Sequence, residues 1–255
     1  MEHAFFDEYS HSDSVIHRLE PRVKILAFLL CILFIAFATG YNLKIFVPYS
    51  ITVISLILLS KVPVAFIFKR VVSLLPFILM VTIFLPFIQS VEGGEKVSWG
   101  ALTLPVSYNG IRLFVSVVMK SCLSVMLTTL LMVSTDFASL LKALEKLRVP
   151  SLLIMIISFM YRYVFVLEDE LMKMRQAKEC RSVGGSQWFH LKAQANMLGV
   201  LFLRAYERAE KVYLAMCSRG FDGHARSIYD SKIKTRDMLF LVFLAVILTL
   251  IKLYG

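Results

Sequence analysis

Residues 151–182 read SLLIMIISFMYRYVFVLEDELMKMRQAKECRS. The first half, Leu152–Leu167, is apolar almost all round. The second half carries Glu168, Asp169, Glu170, Lys173, Arg175, Lys178 and Glu179. Pro150 precedes the stretch and Gly184-Gly185 follows it, so the spacing predicts one helix from Ser151 to about Arg181, about 45 Å long at 1.5 Å per residue. Such a helix can start within a bilayer and end well into the cytoplasm. Arg162 interrupts the apolar half, so a full crossing is not counted here.

Two further helices flank it. Upstream, Ser134, Thr135 and Asp136 offer N-cap chemistry. A stripe of Leu140, Leu141, Leu144 and Leu147 follows, with Lys142, Glu145 and Lys146 opposite, and Pro150 closes this short helix. Downstream, a helix is expected from about Phe189 to Arg219. Leu198, Phe202, Ala205, Ala209, Val212 and Met216 recur at alternating intervals of four and three, a coiled-coil-like seam. Ala205 and Ala209 would let another backbone approach closely, and Gly220 ends the helix.

The rest of the chain is hydrophobic. Of its 255 residues 58% are hydrophobic and 18% charged, and the mean hydropathy is +0.73. Soluble domains average about 45–50% apolar and about 25% charged, so the composition indicates an all-α polytopic membrane protein and excludes disorder, collagen and a secreted disulfide scaffold. Five runs approach the roughly 20 residues a bilayer core requires: Val23–Thr39, Ile45–Ser60, Val71–Gln89, Ile111–Val133 and Met238–Leu253. The expected organisation is an N-terminal cytoplasmic or interfacial segment (1–22), a four-span bundle (23–133), a cytoplasmic block of long helices (134–236) and a final span (237–255). The first run is not expected to be a signal peptide, because a long segment with Glu2, Asp7, Glu8, Asp13 and Glu20 precedes it.

Charge gives the orientation. Lys and Arg number 28 against 18 acidic residues, a net +10. With the N-terminus inside, residues 1–24, 61–70 and 134–236 hold 23 of the 28 basic residues, and the opposite side holds Lys44, Lys96, Arg112 and Lys252. This is the positive-inside pattern. Five spans then put the C-terminus outside. Trp99 and Tyr108 flank the outer loop 90–110 as interfacial aromatics. Pro76 and Pro86 fall within the third run and mark either a kink or a hinge. Lys120 sits mid-span, where a charge costs at least about 2.5–3.5 kcal/mol on insertion scales. It either pairs inside the bundle, snorkels outward or meets a partner subunit.

Several chemistries lack a signature. No G-x-x-x-x-G-K-[ST] occurs, so ATP hydrolysis is not expected of this chain. No Ser/His/Asp or Cys/His arrangement stands out. Cys31, Cys122, Cys180 and Cys217 are scattered and read as free thiols. His3, His11 and His17 lie near Asp7, Glu8 and Asp13, but their spacing matches no helix face, and an ordinary interfacial segment is the preferred reading over a metal site. No cofactor, no metal and no nucleic-acid partner is expected. Ser116, Ser121, Ser124, Thr128 and Thr129 are read as helix-packing residues.

The two long helices end alike: one in Cys180-Arg181-Ser182 before Gly184, the other in Ser218-Arg219-Gly220. A cation near a helix C-terminus is favourable in itself. Two matching ends on one face of a membrane protein point further, to docking, because Arg presents a rigid fork of donors suited to carboxylates.

These residues resemble the T component (EcfT) of energy-coupling-factor transporters over nearly the whole chain. The family's two Ala-Arg-Ser/Gly-type motifs match Cys180-Arg181-Ser182 and Ser218-Arg219-Gly220, with Cys and Ser in place of Ala. The stretches 143–150 (ALEKLRVP), 160–163 (MYRY) and 216–223 (MCSRGFDG) are also similar to it, and 13–24 (DSVIHRLEPRVK) is similar to the cobalt-transport branch, CbiQ. The resemblance implies a non-catalytic coupling subunit in a prokaryotic cell membrane. It implies that two ABC-type ATPase subunits dock on Cys180, Arg181, Ser182, Ser218, Arg219 and Gly220. It further implies a separate substrate-binding membrane subunit of CbiM type, with Lys120 as a possible contact, and cobalt as the cargo. Nickel or a vitamin is the alternative cargo. A stand-alone membrane enzyme using cytoplasmic His and acidic residues is the different-class alternative.

Overall fold

The structure, a computed structural model, describes residues 19–38, 45–60, 62–84, 108–181, 184, 186–223 and 234–254. Among these residues there is no strand, and the helices are α1 (Pro21–Ala36), α2 (Phe46–Ser60), α3 (Val64–Thr82), α4 (Tyr108–Ser134), α5 (Phe137–Lys146), α6 (Ser151–Arg181), α7 (Gln187–Cys217) and α8 (Thr235–Tyr254). The chain is a polytopic all-α membrane protein. By length and composition α3, α4 from Gly110 and α6 can each cross a bilayer. The helix α6 meets that standard despite Arg162, because one charge leaves a long window predominantly apolar. At 16 and 15 residues, α1 and α2 are shorter than a usual span of about 17–25.

The third span differs from expectation. It begins at Val64 and ends at Thr82, whereas the hydropathy run was placed at Val71–Gln89. Pro63 precedes the first turn, where a missing N–H costs nothing. Lys69 and Arg70, read as loop residues, therefore lie on α3 with their side chains exposed. Arg70 Nη2 reaches Met132 Sδ at 3.5 Å, so its stem lies along apolar surface while its charge stays at the edge. Pro76 falls inside α3 and removes one helical hydrogen bond there. Pro86 and Trp99 lie outside the described residues.

Contacts divide the chain into two units. One contains α1–α4, α8 and the first part of α5; the other begins at Leu144 and contains α6 and α7. In the first unit α4 packs against α1, α2 and α3, and α8 packs against α1 and α2. Their shared core is Phe28, Cys31 and Ile35 of α1, Phe46, Tyr49 and Val53 of α2, Ile67 of α3, Leu127 and Leu130 of α4, and Leu244 and Leu248 of α8. The outward faces are equally apolar, as Phe68, Phe77 and Met80 of α3 illustrate. A helix that is hydrophobic all round fits lipid on its outer side.

Ser116 and Thr129, expected as helix-packing residues, are 1% and 2% exposed inside the bundle. Ser116 Oγ donates to Leu113 O at 2.8 Å, Thr128 Oγ1 to Ser124 O at 2.9 Å and Thr129 Oγ1 to Val125 O at 2.8 Å. Each hydroxyl satisfies itself on its own helix, which is the cheapest solution away from water. All four cysteines are free thiols.

In the second unit α6 and α7 run in opposite directions. Arg204 pairs with Glu170, and the Arg208 guanidinium lies over the Tyr163 ring, 5.9 Å from its centroid. Moving up α7 from 204 to 208 thus means moving down α6 from 170 to 163. Between them Ile156, Phe159, Leu167, Ala205, Val212 and Met216 help line an apolar hollow of about 360 Å³.

The expected seam on α7 holds only in its second half. Ala205, Ala209, Val212 and Met216 face α6 across the hollow, but Leu198 and Phe202 are 59% and 71% exposed. A seam along the whole helix needs a partner alongside for its full length. Here the helices meet over one stretch only.

Candidate functional site

The candidate site is the pair of arginine-bearing helix ends. At the end of α7, Ser218 N donates to Leu214 O (3.0 Å), Gly220 N to Cys217 O (3.0 Å) and Phe221 N to Met216 O (3.1 Å). Gly220 has φ +79°. This pattern is a Schellman motif with Gly220 in the left-handed position and Arg219 immediately before it. It explains why the sequence runs Met216-Cys-Ser-Arg-Gly-Phe221. The glycine supplies the turn, Phe221 supplies the sixth N–H, and Arg219 projects from the last helical position. Ser218 Oγ donates to Ala215 O at 2.9 Å, so the hydroxyl helps finish the helix. One turn earlier, Tyr213 hydrogen-bonds the Cys217 sulfur, and this contact raises the phenol above its ordinary range.

At the end of α6, Arg181 is the final helical residue and Gly184 follows with φ +73°. Cys180 and Arg181 are exposed. Ser182, the third member of that motif, lies outside the described residues, as do His3, His11 and His17. Cys217, Ser218, Arg219 and Gly220 are also exposed. Neither Arg181 nor Arg219 has an ion-pair partner among the described residues. Exposed arginines next to small residues leave their donor forks available.

The antiparallel course of α6 and α7 places these two ends on opposite sides of their contact. From the Tyr163–Arg208 and Glu170–Arg204 contacts, each helix runs on for eleven or more residues to its own arginine, roughly 16 Å or more at 1.5 Å per residue. The two arginines therefore do not form one site. They are two separate candidate ends, each an exposed arginine with a glycine of positive φ after it.

The sequence matches the family of cobalt transport proteins, CbiQ, over residues 12–229. The chain belongs to the CbiQ family. An "Energy-coupling factor transporter transmembrane protein EcfT" of Listeria innocua is 30% identical, over 88% of this chain and 86% of its own length. The Bacillus subtilis protein of the same name is 28% identical over 98% of both chains. An uncharacterized protein of Methanocaldococcus jannaschii is 26% identical over 99% of this chain and 87% of its own. The match identifies this CbiQ-family chain as a T component of an energy-coupling-factor transporter and as a multi-pass membrane protein.

Lys120 answers part of its own question. Its Nζ donates to Ala36 O at 3.1 Å, so in the CbiQ-family bundle it caps the C-terminal carbonyls of α1 from α4. A cation there meets both an orphan acceptor and the negative end of the helix dipole.

Sequence reading missed one residue of the second unit. Arg148, after α5, has φ +70°, the only positive φ of a non-glycine among the described residues. Arg148 N donates to Glu145 O and Val149 N to Leu144 O, at 3.1 and 3.3 Å, so the end of α5 is a second Schellman turn with arginine in the glycine position. An arginine gives no sequence signal of such a turn. In the bundle unit, Lys24 is 3% exposed, a burial with no sign in the sequence.

Proposed function

We propose that this chain is the coupling subunit of an ATP-driven importer whose ATPases are separate chains. Two ABC-type ATPase subunits dock on the two helix ends, one on Cys180, Arg181 and Ser182 and the other on Ser218, Arg219 and Gly220. The observation that carries this reading is the pair of exposed arginines on opposite ends of the crossed α6 and α7. A pair of motor subunits needs two like sites held apart by a stiff element, and two 31-residue helices in contact provide one. Closing the motor pair would pull both ends together and turn the helices at their contact. The chain itself contributes no catalytic group; hydrolysis takes place in the partners.

A substrate-binding membrane subunit, of CbiM type, takes the apolar surface of α6 and α7. Leu152, Ile156 and Met160 on α6 and Leu198, Phe202 and Leu203 on α7 are all more than half exposed. Exposed apolar area on this scale marks an interaction surface. Cobalt is the proposed cargo, on the strength of the family's name, with nickel or a vitamin as the alternative. The chain sits in a prokaryotic plasma membrane with its N-terminus and the α5–α7 block inside and its C-terminus outside, as the distribution of basic residues supports.

The test is affinity purification of the tagged chain in mild detergent beside an Arg181→Glu/Arg219→Glu variant. The wild type is expected to bring down an ABC-type ATPase and a second membrane protein, and the variant to lose the ATPase. Well-folded wild-type protein that brings no ATPase contradicts the proposal and favours a stand-alone membrane enzyme. Metal-stimulated uptake in cells carrying the complex then decides between cobalt and the alternatives.

A further inference from the structure

The α4–α5 joint carries an inference of its own. Only Thr135 and Asp136 separate the last residue of α4, Ser134, from the first of α5, Phe137. Two helix ends with opposite needs meet there. The C-terminus of α4 presents carbonyls without helical partners and the negative end of its dipole. The N-terminus of α5 is capped by Asp136: Ser139 N donates to Asp136 Oδ2 at 3.3 Å, and Leu140 N to Asp136 O at 3.0 Å. Negative charge therefore accumulates within one short turn, where Ser134 and Thr135 are 3% and 7% exposed.

Lys24, from the first turn of α1, fills this joint. It is 110 residues away in sequence, and its Nζ donates to Ser134 O at 2.7 Å. Asp136, two residues beyond that carbonyl, carries the negative charge of the turn. At 3% exposed, Lys24 is among the most buried charged residues of the bundle. A buried ammonium is expensive unless it is held by acceptors and opposite charge, and this joint supplies both. The Glu20–Arg22 ion pair (3.0 Å) and the Val23 N–Glu20 O bond (3.0 Å) fix the turn of α1 from which Lys24 reaches out.

We propose that Lys24 is a positioning residue that locks the α4–α5 joint, so that α5 moves as one body with the membrane bundle. A joint of two residues without this contact is a hinge. With it, α1 is bonded to the last residue of α4 at the edge of the turn that opens α5, and a load arriving through α5 is delivered to the bundle rather than absorbed in the turn. This rests on the proposed coupling role only for its transport consequence. The rigidity of the joint is a property of the chain alone.

The experiment has two arms. In lipid nanodiscs, hydrogen exchange of residues 137–146 is compared for the wild type, Lys24→Met and Lys24→Arg. Lys24→Met is expected to exchange about tenfold faster there, with α2 and α3 unchanged, and Lys24→Arg to stay close to the wild type. Exchange of 137–146 unchanged in Lys24→Met overturns the lock. Should Lys24→Met not fold, Asp136→Asn keeps a capping side chain and removes only the negative charge of the turn. A faster-exchanging α5 in that variant supports the lock, and an unchanged one overturns it. In the complex reconstituted with its ATPases and substrate-binding subunit, Lys24→Met is expected to hydrolyse ATP near the wild-type rate while delivering several-fold less substrate. Hydrolysis and delivery falling together, or both staying intact, overturns the positioning role. A wild-type chain that recruits no ATPase would instead contradict the coupling function, and the exchange arm would still judge the lock.

Discussion

Arg148 and Gly220 hold the same backbone position in two Schellman turns, with φ +70° and +79°, but only one is the residue that position favours. A left-handed conformation costs an L-residue about 1–2 kcal/mol, and glycine nothing comparable. Arg148→Gly is therefore expected to stabilise the chain by about 1 kcal/mol, read as a higher melting temperature in detergent. Gly220→Ala is expected to cost about 1 kcal/mol. That cost is conformational rather than steric, because a Cβ there meets nothing within 4 Å. The same change re-aims Arg219, so ATPase recovery should fall by more than the stability loss explains. Co-purification yield measured alongside the melting curve checks this. The motif itself was legible from Met216-Cys-Ser-Arg-Gly-Phe-Asp-Gly223, since glycine announces the turn. Arg148 was not, because nothing in its side chain announces a positive φ. Lys24 was legible only in part: Pro21-Arg-Val-Lys24 reads as an interfacial helix start, but its bond to Ser134, 110 residues away, has no local sequence signal.

Among the helices, punctuation decided which boundaries could be read. Pro150 and Gly184 bracket α6, and Asp136 opens α5, so these limits followed from the sequence. The start of α3 did not, because Lys69 and Arg70 look like loop residues although the helix begins at Val64, before them. The α7 seam was overextended because a period of three and four reveals a helical face but not how much of it has a partner. Three consequences follow at this scale. Asp136→Ala removes the cap of α5 and is expected to cost about 0.5–2 kcal/mol, with faster exchange at the Ser139 and Leu140 amides. Glu170→Ala breaks the pair with Arg204, whose side chains are 28% and 56% exposed. Water screens such a pair, so thermal stability should change by less than about 1 kcal/mol. Ala209→Leu, by contrast, puts bulk into the hollow shared by α6 and α7, and its expected effect is on recovery of the substrate-binding subunit rather than on folding.

The molecule as a whole divides its work between a core-forming bundle, α1–α4 with α8, and a crossed pair, α6 and α7, that leaves most of its apolar surface open. The bundle closes its apolar core around Phe28, Tyr49, Leu127 and Leu248. The crossed pair has no residue of α7 fully buried, which suits an element whose packing is completed by other subunits. Cys180 and Cys217, one beside each arginine, are native reporters on this account. The most direct test of the coupling claim is maleimide labelling of chains retaining only Cys180 or only Cys217, in the purified complex and again after the ATPases are stripped away. The account predicts that both thiols are protected in the complex and both react once the ATPases are gone. Thiols that label equally fast in the two states would show that the helix ends do not carry the motor, and would contradict it.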